Sequence, residues 1–129
     1  MEQLDEWSQV NSELNKSCED RKPRFVLFVE KWNPFSLHAA RIFQKLKAES
    51  TEKDIFIVDA DKLFSIASGF GVIGTPALVV FFRGMPIKIK RRGWEEDIKY
   101  VGIASEDNYS KIVSMGREQA ITGNPLICD

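Results

Sequence analysis

Three short stretches of this chain, residues 24–30, 55–59 and 77–82, have no polar residue in their interior. Each has the length of a strand, and none alternates apolar with polar, so neither face of such a strand can be left to water. Strands of this kind lie centrally in a sheet that is covered on both sides, and the covering layers must come from the segments between them. Leu4, Trp7, Val10 and Leu14 recur at spacings of three and four, which predicts an amphipathic helix over residues 2–18, broken by Arg21-Lys22-Pro23. Pro34 and Ser36 open a second helix, with Leu37, Ala40, Phe43 and Leu46 on its inner face and Arg41, Lys45 and Lys47 on its wet side. Phe64, Ala67 and Phe70 mark a shorter third helix ending at Gly69 or Gly71.

Arg83-Gly84-Met85 is a turn of hairpin length, leading from the run at 77–82 into a fourth strand over residues 86–91. Residues 93–102 read as an irregular polar connection containing Trp94. Ser105 is placed to cap a last helix, Glu106 to Gly116, with Tyr109, Ile112, Val113 and Met115 along one side. In the tail, residues 117–129, Gly123-Asn124-Pro125 forms a turn before Leu126-Ile127-Cys128, and this end either packs Leu126 and Ile127 on the sheet, meets a partner or stays disordered. The order helix, strand, helix, strand, helix, strand, strand, helix predicts a single α/β domain over residues 1–129. Its expected architecture is a mixed central sheet of about four strands with helices on both faces.

Composition limits the function classes. Nine Phe and three Trp supply enough apolar surface for a core without disulfides or metal. A net charge of -1 gives no global attraction to polyanions. Lys88-Ile89-Lys90-Arg91-Arg92 is a local exception, but its alternation with Ile87 and Ile89 suits a half-exposed edge strand kept soluble by its charges. Glu95-Glu96-Asp97 follows it and offsets its field, so direct nucleic-acid binding is not expected. No stretch approaches the roughly 18 apolar residues of a membrane helix. Residues 1–17 are polar and acidic, unlike a signal peptide. With Cys18 and Cys128 as its two cysteines, the chain has no disulfide framework, and a reducing setting, cytosol or nucleus, is expected.

Few residues offer chemistry. Two cysteines and one histidine do not complete a closed zinc site. Ser36 and His38 are two apart on a helix and face different ways, so they do not read as a nucleophile and its base. Asp59 and Asp61 suit a strand end and a helix cap better than a paired-carboxylate site. Gly69, Gly71 and Gly74 are wrongly spaced for a phosphate loop. No cofactor is expected.

Gly71-Val72-Ile73-Gly74-Thr75-Pro76, running through Ala77–Phe82 into Arg83-Gly84, resembles the thioredoxin segment that carries the cis-proline and the strand after it. The resemblance implies a cis bond before Pro76, and in thioredoxins the backbone there is free to pair with an extended peptide. Trp32-Asn33-Pro34-Phe35-Ser36 falls where thioredoxins carry the two redox cysteines, and it has neither. Thiol exchange needs a thiolate nucleophile and usually a resolving thiol. Leu27 also stands at the position of the buried thioredoxin carboxylate.

A narrower family fits better. Lys31-Trp32-Asn33-Pro34-Phe35-Ser36, Gly93, Lys99-Tyr100-Val101-Gly102 and Gly116-Arg117 with an apolar tail are similar to the DIM-type thioredoxin-like proteins of the spliceosome. The similarity covers roughly residues 5–127. It departs at Asn33, where that family has aspartate, and at Ser36, where it has a single cysteine.

What the resemblance implies is a non-catalytic, nuclear protein-interaction subunit of the pre-mRNA splicing machinery, contacting proteins of the tri-snRNP. The expected contact patch is Trp32, Asn33, Pro34, Phe35, Ser36, Thr75 and Pro76, with Trp32 alternatively part of the core. One alternative is a cytoplasmic adaptor or scaffold subunit of a non-splicing assembly, such as a cytoskeletal or chaperone complex. Another is a redox protein using Cys18 or Cys128.

Overall fold

A computed structural model describes residues 22–60, 74–83, 85–119 and 125–128. Strand β1, Arg24–Val29, is the middle of the sheet. Strand β2, Ile55–Asp59, runs parallel to it, from Phe25 opposite Ile55 to Val29 opposite Asp59. On the other side lies β3, Ala77–Phe82, antiparallel, with Arg24 opposite Phe81 and Phe28 opposite Ala77. The absence of alternation in these strands is explained by burial on both faces. Phe25, Leu27 and Val29 point into one apolar cluster, Val26 and Phe28 into the other, and all five are fully buried.

Helix α1, Pro34–Glu49, and helix α2, Glu106–Gln119, both pack on the first face. Phe43 of α1 meets Tyr109 of α2 edge to face, with ring centroids 4.9 Å apart. Burial pushes the Tyr109 phenol up to about 12, and its hydroxyl donates to the Gly102 carbonyl at 3.2 Å. The second face is equally dry, but the helices expected over residues 2–18 and 64–70 lie outside the described residues. The mixed β2-β1-β3 core therefore agrees with the expected architecture. The inner face of α1 is Ser36, Ala39, Ala40, Ile42 and Phe43, whereas Leu37 and Leu46 are only half-buried.

The far edge of β3 differs from expectation. Residues 86–91 do not form one strand. Met85–Pro86, β4, pairs with Phe81 and Phe82, and the Ile87 amide still donates to Val80 at 2.7 Å. The chain then leaves the sheet, because buried Ile89 turns inward to pack with Leu126. Ile89–Arg91, β5, pairs in parallel with the tail segment Leu126–Cys128, β7, and Ile89 also exchanges backbone hydrogen bonds with Asp97. The supposedly irregular connection returns as β6, Tyr100–Val101, which takes the remaining edge of β3 opposite Ala77 and Leu78. In the tail, Leu126 is fully buried but Ile127 is 70% exposed, so only the first of the two packs inward.

Gly116 and Arg117 have separate structural duties. A Cβ on Gly116 would lie 2.6 Å from the ring of Phe25, which is itself fully buried and has nowhere to go. Gly116→Ala is therefore expected to cost about 2 kcal/mol net, although alanine improves helix propensity by about 1 kcal/mol. The melting temperature should fall by roughly 8 °C; a value at or above wild type would show that the ring yields. Arg117 grips Asp54, which is almost fully buried at the entry to β2. Its Nε donates to Oδ2 at 2.9 Å and its Nη2 to Oδ1 at 2.8 Å. Nη2 also reaches Ser50 Oγ at 2.7 Å. The Asp54 hydrogen bond raises the Arg117 pKa above its ordinary value. This pair ties α2 to the entry of β2 across 63 residues of sequence.

Candidate functional site

The C-terminal end of β1 and the N-terminal end of β3 are neighbours in the sheet, so the loops beyond them meet. The first loop turns at Glu30–Asn33, closed by the Asn33 amide donating to the Glu30 carbonyl at 3.0 Å. Asn33 is the N-cap of α1: its Oδ1 accepts the Phe35 amide at 3.0 Å, and Pro34 follows at the first helical position. Its Nδ2 reaches across to the Thr75 carbonyl at 2.9 Å. One carboxamide thus starts the helix and bonds the second loop, with a donor at one end and an acceptor at the other. The Thr75–Pro76 bond is cis, as the resemblance implied.

Glu30 joins the same two loops. The Thr75 hydroxyl donates to its Oε1 at 2.6 Å and the Trp32 indole Nε1–H to its Oε2 at 3.0 Å. A third segment closes the cluster, since the Gly102 amide donates to the Pro76 carbonyl at 2.8 Å. Gly102 has φ +98°, a backbone conformation suited to glycine. Beyond it Ile103 is 40% exposed.

The seven residues expected at the contact patch divide by accessibility. Trp32 and Phe35 are 69% and 62% exposed, so Trp32 is not a core residue. Pro34 is exposed, while Asn33 and Thr75 are half-buried. Ser36 and Pro76 are buried and form the floor. Sequence reasoning overlooked Glu30, Gly102 and Ile103. The free backbone found before the proline in thioredoxins is altered here, since Asn33 already bonds the Thr75 carbonyl and Gly102 the Pro76 carbonyl.

Ser36 Oγ is fully buried and makes no hydrogen bond, and His38 is exposed on another side of the helix, so the two do not pair. Leaving a buried hydroxyl unpaired costs about 1–3 kcal/mol. Ser36→Ala is expected to raise stability by about 1 kcal/mol without altering the surface; a loss of stability in urea denaturation would mean that the hydroxyl is bonded in solution.

The basic run is partly spent internally. Lys90 Nζ donates to the carbonyls of Arg91 and Trp94. The Arg91 guanidinium lies between the rings of Tyr100 and Trp94, at 3.9 and 4.6 Å from their centroids, and bonds the Val101 carbonyl at 2.8 Å. Lys88 and Arg92 remain as exposed cations, with Glu95, Glu96 and Asp97 close by in sequence. At the opposite end of β3 a groove of about 560 Å³ runs past Phe82, Met85, Pro86 and Ile87. No group of three potential metal ligands occurs among the described residues. No described helix is long and apolar enough to cross a membrane. Cys18 lies outside the described residues, and Cys128 stands in β7, paired in register with Arg91.

No family model matches the chain, and no curated protein matches it. Solved structures do. The chain is similar to a thioredoxin from Nicotiana alata, with TM-score 0.68 and 22% identity over 86% of this chain and 87% of that one. A thioredoxin from Fasciola hepatica gives TM-score 0.66 and 18% identity over 83% and 90%. A mutant thioredoxin from Halobacterium salinarum gives 0.60 and 26% over 80% and 81%. These likenesses and the sheet order agree: the chain has a thioredoxin-like fold.

Proposed function

We propose that this chain is a non-catalytic protein-interaction subunit of the pre-mRNA splicing machinery, acting in the nucleus on proteins of the tri-snRNP. The observation that carries the reading is the state of the loop at Trp32–Ser36. It contains no cysteine, its Asn33 side chain and the adjoining Glu30 are bonded to Thr75 and hold two loops together, and its two aromatic rings face outward. Exposed aromatic side chains on a rigid support are typical interface anchors. The splicing assignment rests on the resemblance to the DIM-type proteins. Two of its features, the Gly93–Gly102 connection and the apolar tail, flank or form the small β5–β7 sheet. Binding in this reading is to protein, with Lys90 and Arg91 committed internally.

Affinity purification of the tagged chain from whole-cell extract, reading proteins and small nuclear RNAs together, tests the assignment. The expected result is recovery of tri-snRNP proteins with their RNAs. A stoichiometric set of cytoplasmic proteins without RNA would move the function to a different assembly. Mixed-disulfide adducts through Cys18 or Cys128 would instead return it to redox chemistry.

A further inference from the structure

Glu30 touches both loops of the patch through separate oxygens, one on the Thr75 hydroxyl and one on the Trp32 indole. With the Asn33–Thr75 bond it closes a ring of contacts: Trp32 to Glu30, Glu30 to Thr75, Thr75 to Asn33, and Asn33 back to Trp32 through the backbone. An exposed tryptophan on a turn would otherwise sample several rotamers, and fixing it at the moment of binding costs entropy. Here that cost is met within the free protein.

We infer that Glu30 is a positioning residue that tethers the Trp32 indole to the cis-proline loop through its two carboxylate oxygens, so that the contact surface is formed before the partner arrives. The Thr75 carbonyl already accepts from Asn33, so an extended peptide pairing there would share that acceptor. The partner chemistry this fits is an apolar or aromatic side chain laid across Trp32, Phe35 and Ile103, all exposed on adjoining segments. The inference rests on the reading of this loop as a protein contact, and the test separates the two.

The full-length chain, labelled with nitrogen-15, is followed through the Trp32 indole N–H and the Asn33 side-chain amide, in wild type, Glu30→Ala and Glu30→Gln. Glu30→Ala is expected to speed solvent exchange of the Trp32 indole and Asn33 amide protons and to weaken capture of purified tri-snRNP by up to about tenfold, as the cost of ordering the freed side chain on binding implies. Glu30→Gln should restore both, because its amide oxygen accepts the indole N–H and its NH2 can donate to the Thr75 hydroxyl. Thr75→Val, which removes only the hydroxyl, should loosen the indole as well. Wild-type exchange in Glu30→Ala and Thr75→Val would overturn the positioning role even if Phe35→Ala loses binding. Undiminished capture by Phe35→Ala would instead overturn the contact reading and, with it, the functional half of this inference.

Discussion

Trp32→Ala/Phe35→Ala is expected to reduce recovery of the bound assembly by about 100-fold or more while shifting the melting temperature by less than ~2 °C. The two rings are more than half exposed and belong to neither apolar cluster, so their removal takes almost nothing from the core. An aromatic anchor at an interface contributes about 2 kcal/mol or more to binding, and each 1.4 kcal/mol is about tenfold in affinity. Met85→Ala is the matched control: it too is exposed, but at the opposite end of β3, and should leave recovery unchanged. A large fall in melting temperature in the double variant would place the rings in the fold. Full recovery would remove the patch as the binding surface.

The second large effect is on stability and concerns the tail. Leu126 is fully buried, packs in the main core cluster, and lies on a strand whose pairing partner is β5. Leu126→Ala is expected to cost about 3 kcal/mol by cavity formation, lowering the melting temperature by roughly 12 °C. Ile127→Ala, on the exposed neighbour in the same strand, should change stability by less than about 0.5 kcal/mol. Removing residues 125–129 should cost more than Leu126→Ala, because Leu126 also donates a backbone hydrogen bond to Lys88 at 2.9 Å. Thermal and urea unfolding of the three variants reads the difference. Equal stability for Leu126→Ala and wild type would detach the tail from the core.

Much of the central sheet was legible because its signals are local. The runs at 25–29, 55–59 and 77–82 declare burial on both faces in a handful of consecutive residues, and Ser105 announces α2 within one turn, its Oγ accepting the Asn108 amide at 3.1 Å. The cis-proline was readable from Thr75-Pro76 only through resemblance. What escaped was set by residues distant in sequence. Nothing near Ile89 says that its strand will leave β3 to join Leu126, and a two-residue strand such as Tyr100–Val101 has no periodicity to detect. The Asp54–Arg117 pair and the Glu30–Thr75 bond likewise join segments whose approach depends on the finished sheet.

In the site, the aromatic residues were identifiable by type and position, but the roles of the polar ones were not. Asn33 carried a usable signal, an N-cap residue immediately before a proline at the first helical position. Its second bond, to Thr75, had none. Ser36 illustrates the converse: a residue that looked accessible by its place in the loop sits on the inner face of α1.

Photocrosslinking from position 35 tests the central claim most directly. A photoreactive phenylalanine analogue replaces Phe35 in one sample and Met85 in another, and both chains are irradiated in cell extract before purification. If the loop is a contact surface, position 35 gives one dominant adduct to a protein of the tri-snRNP and position 85 gives little. Adducts from position 85 with none from position 35 would contradict it, and would place the working surface of this fold at the other end of its sheet.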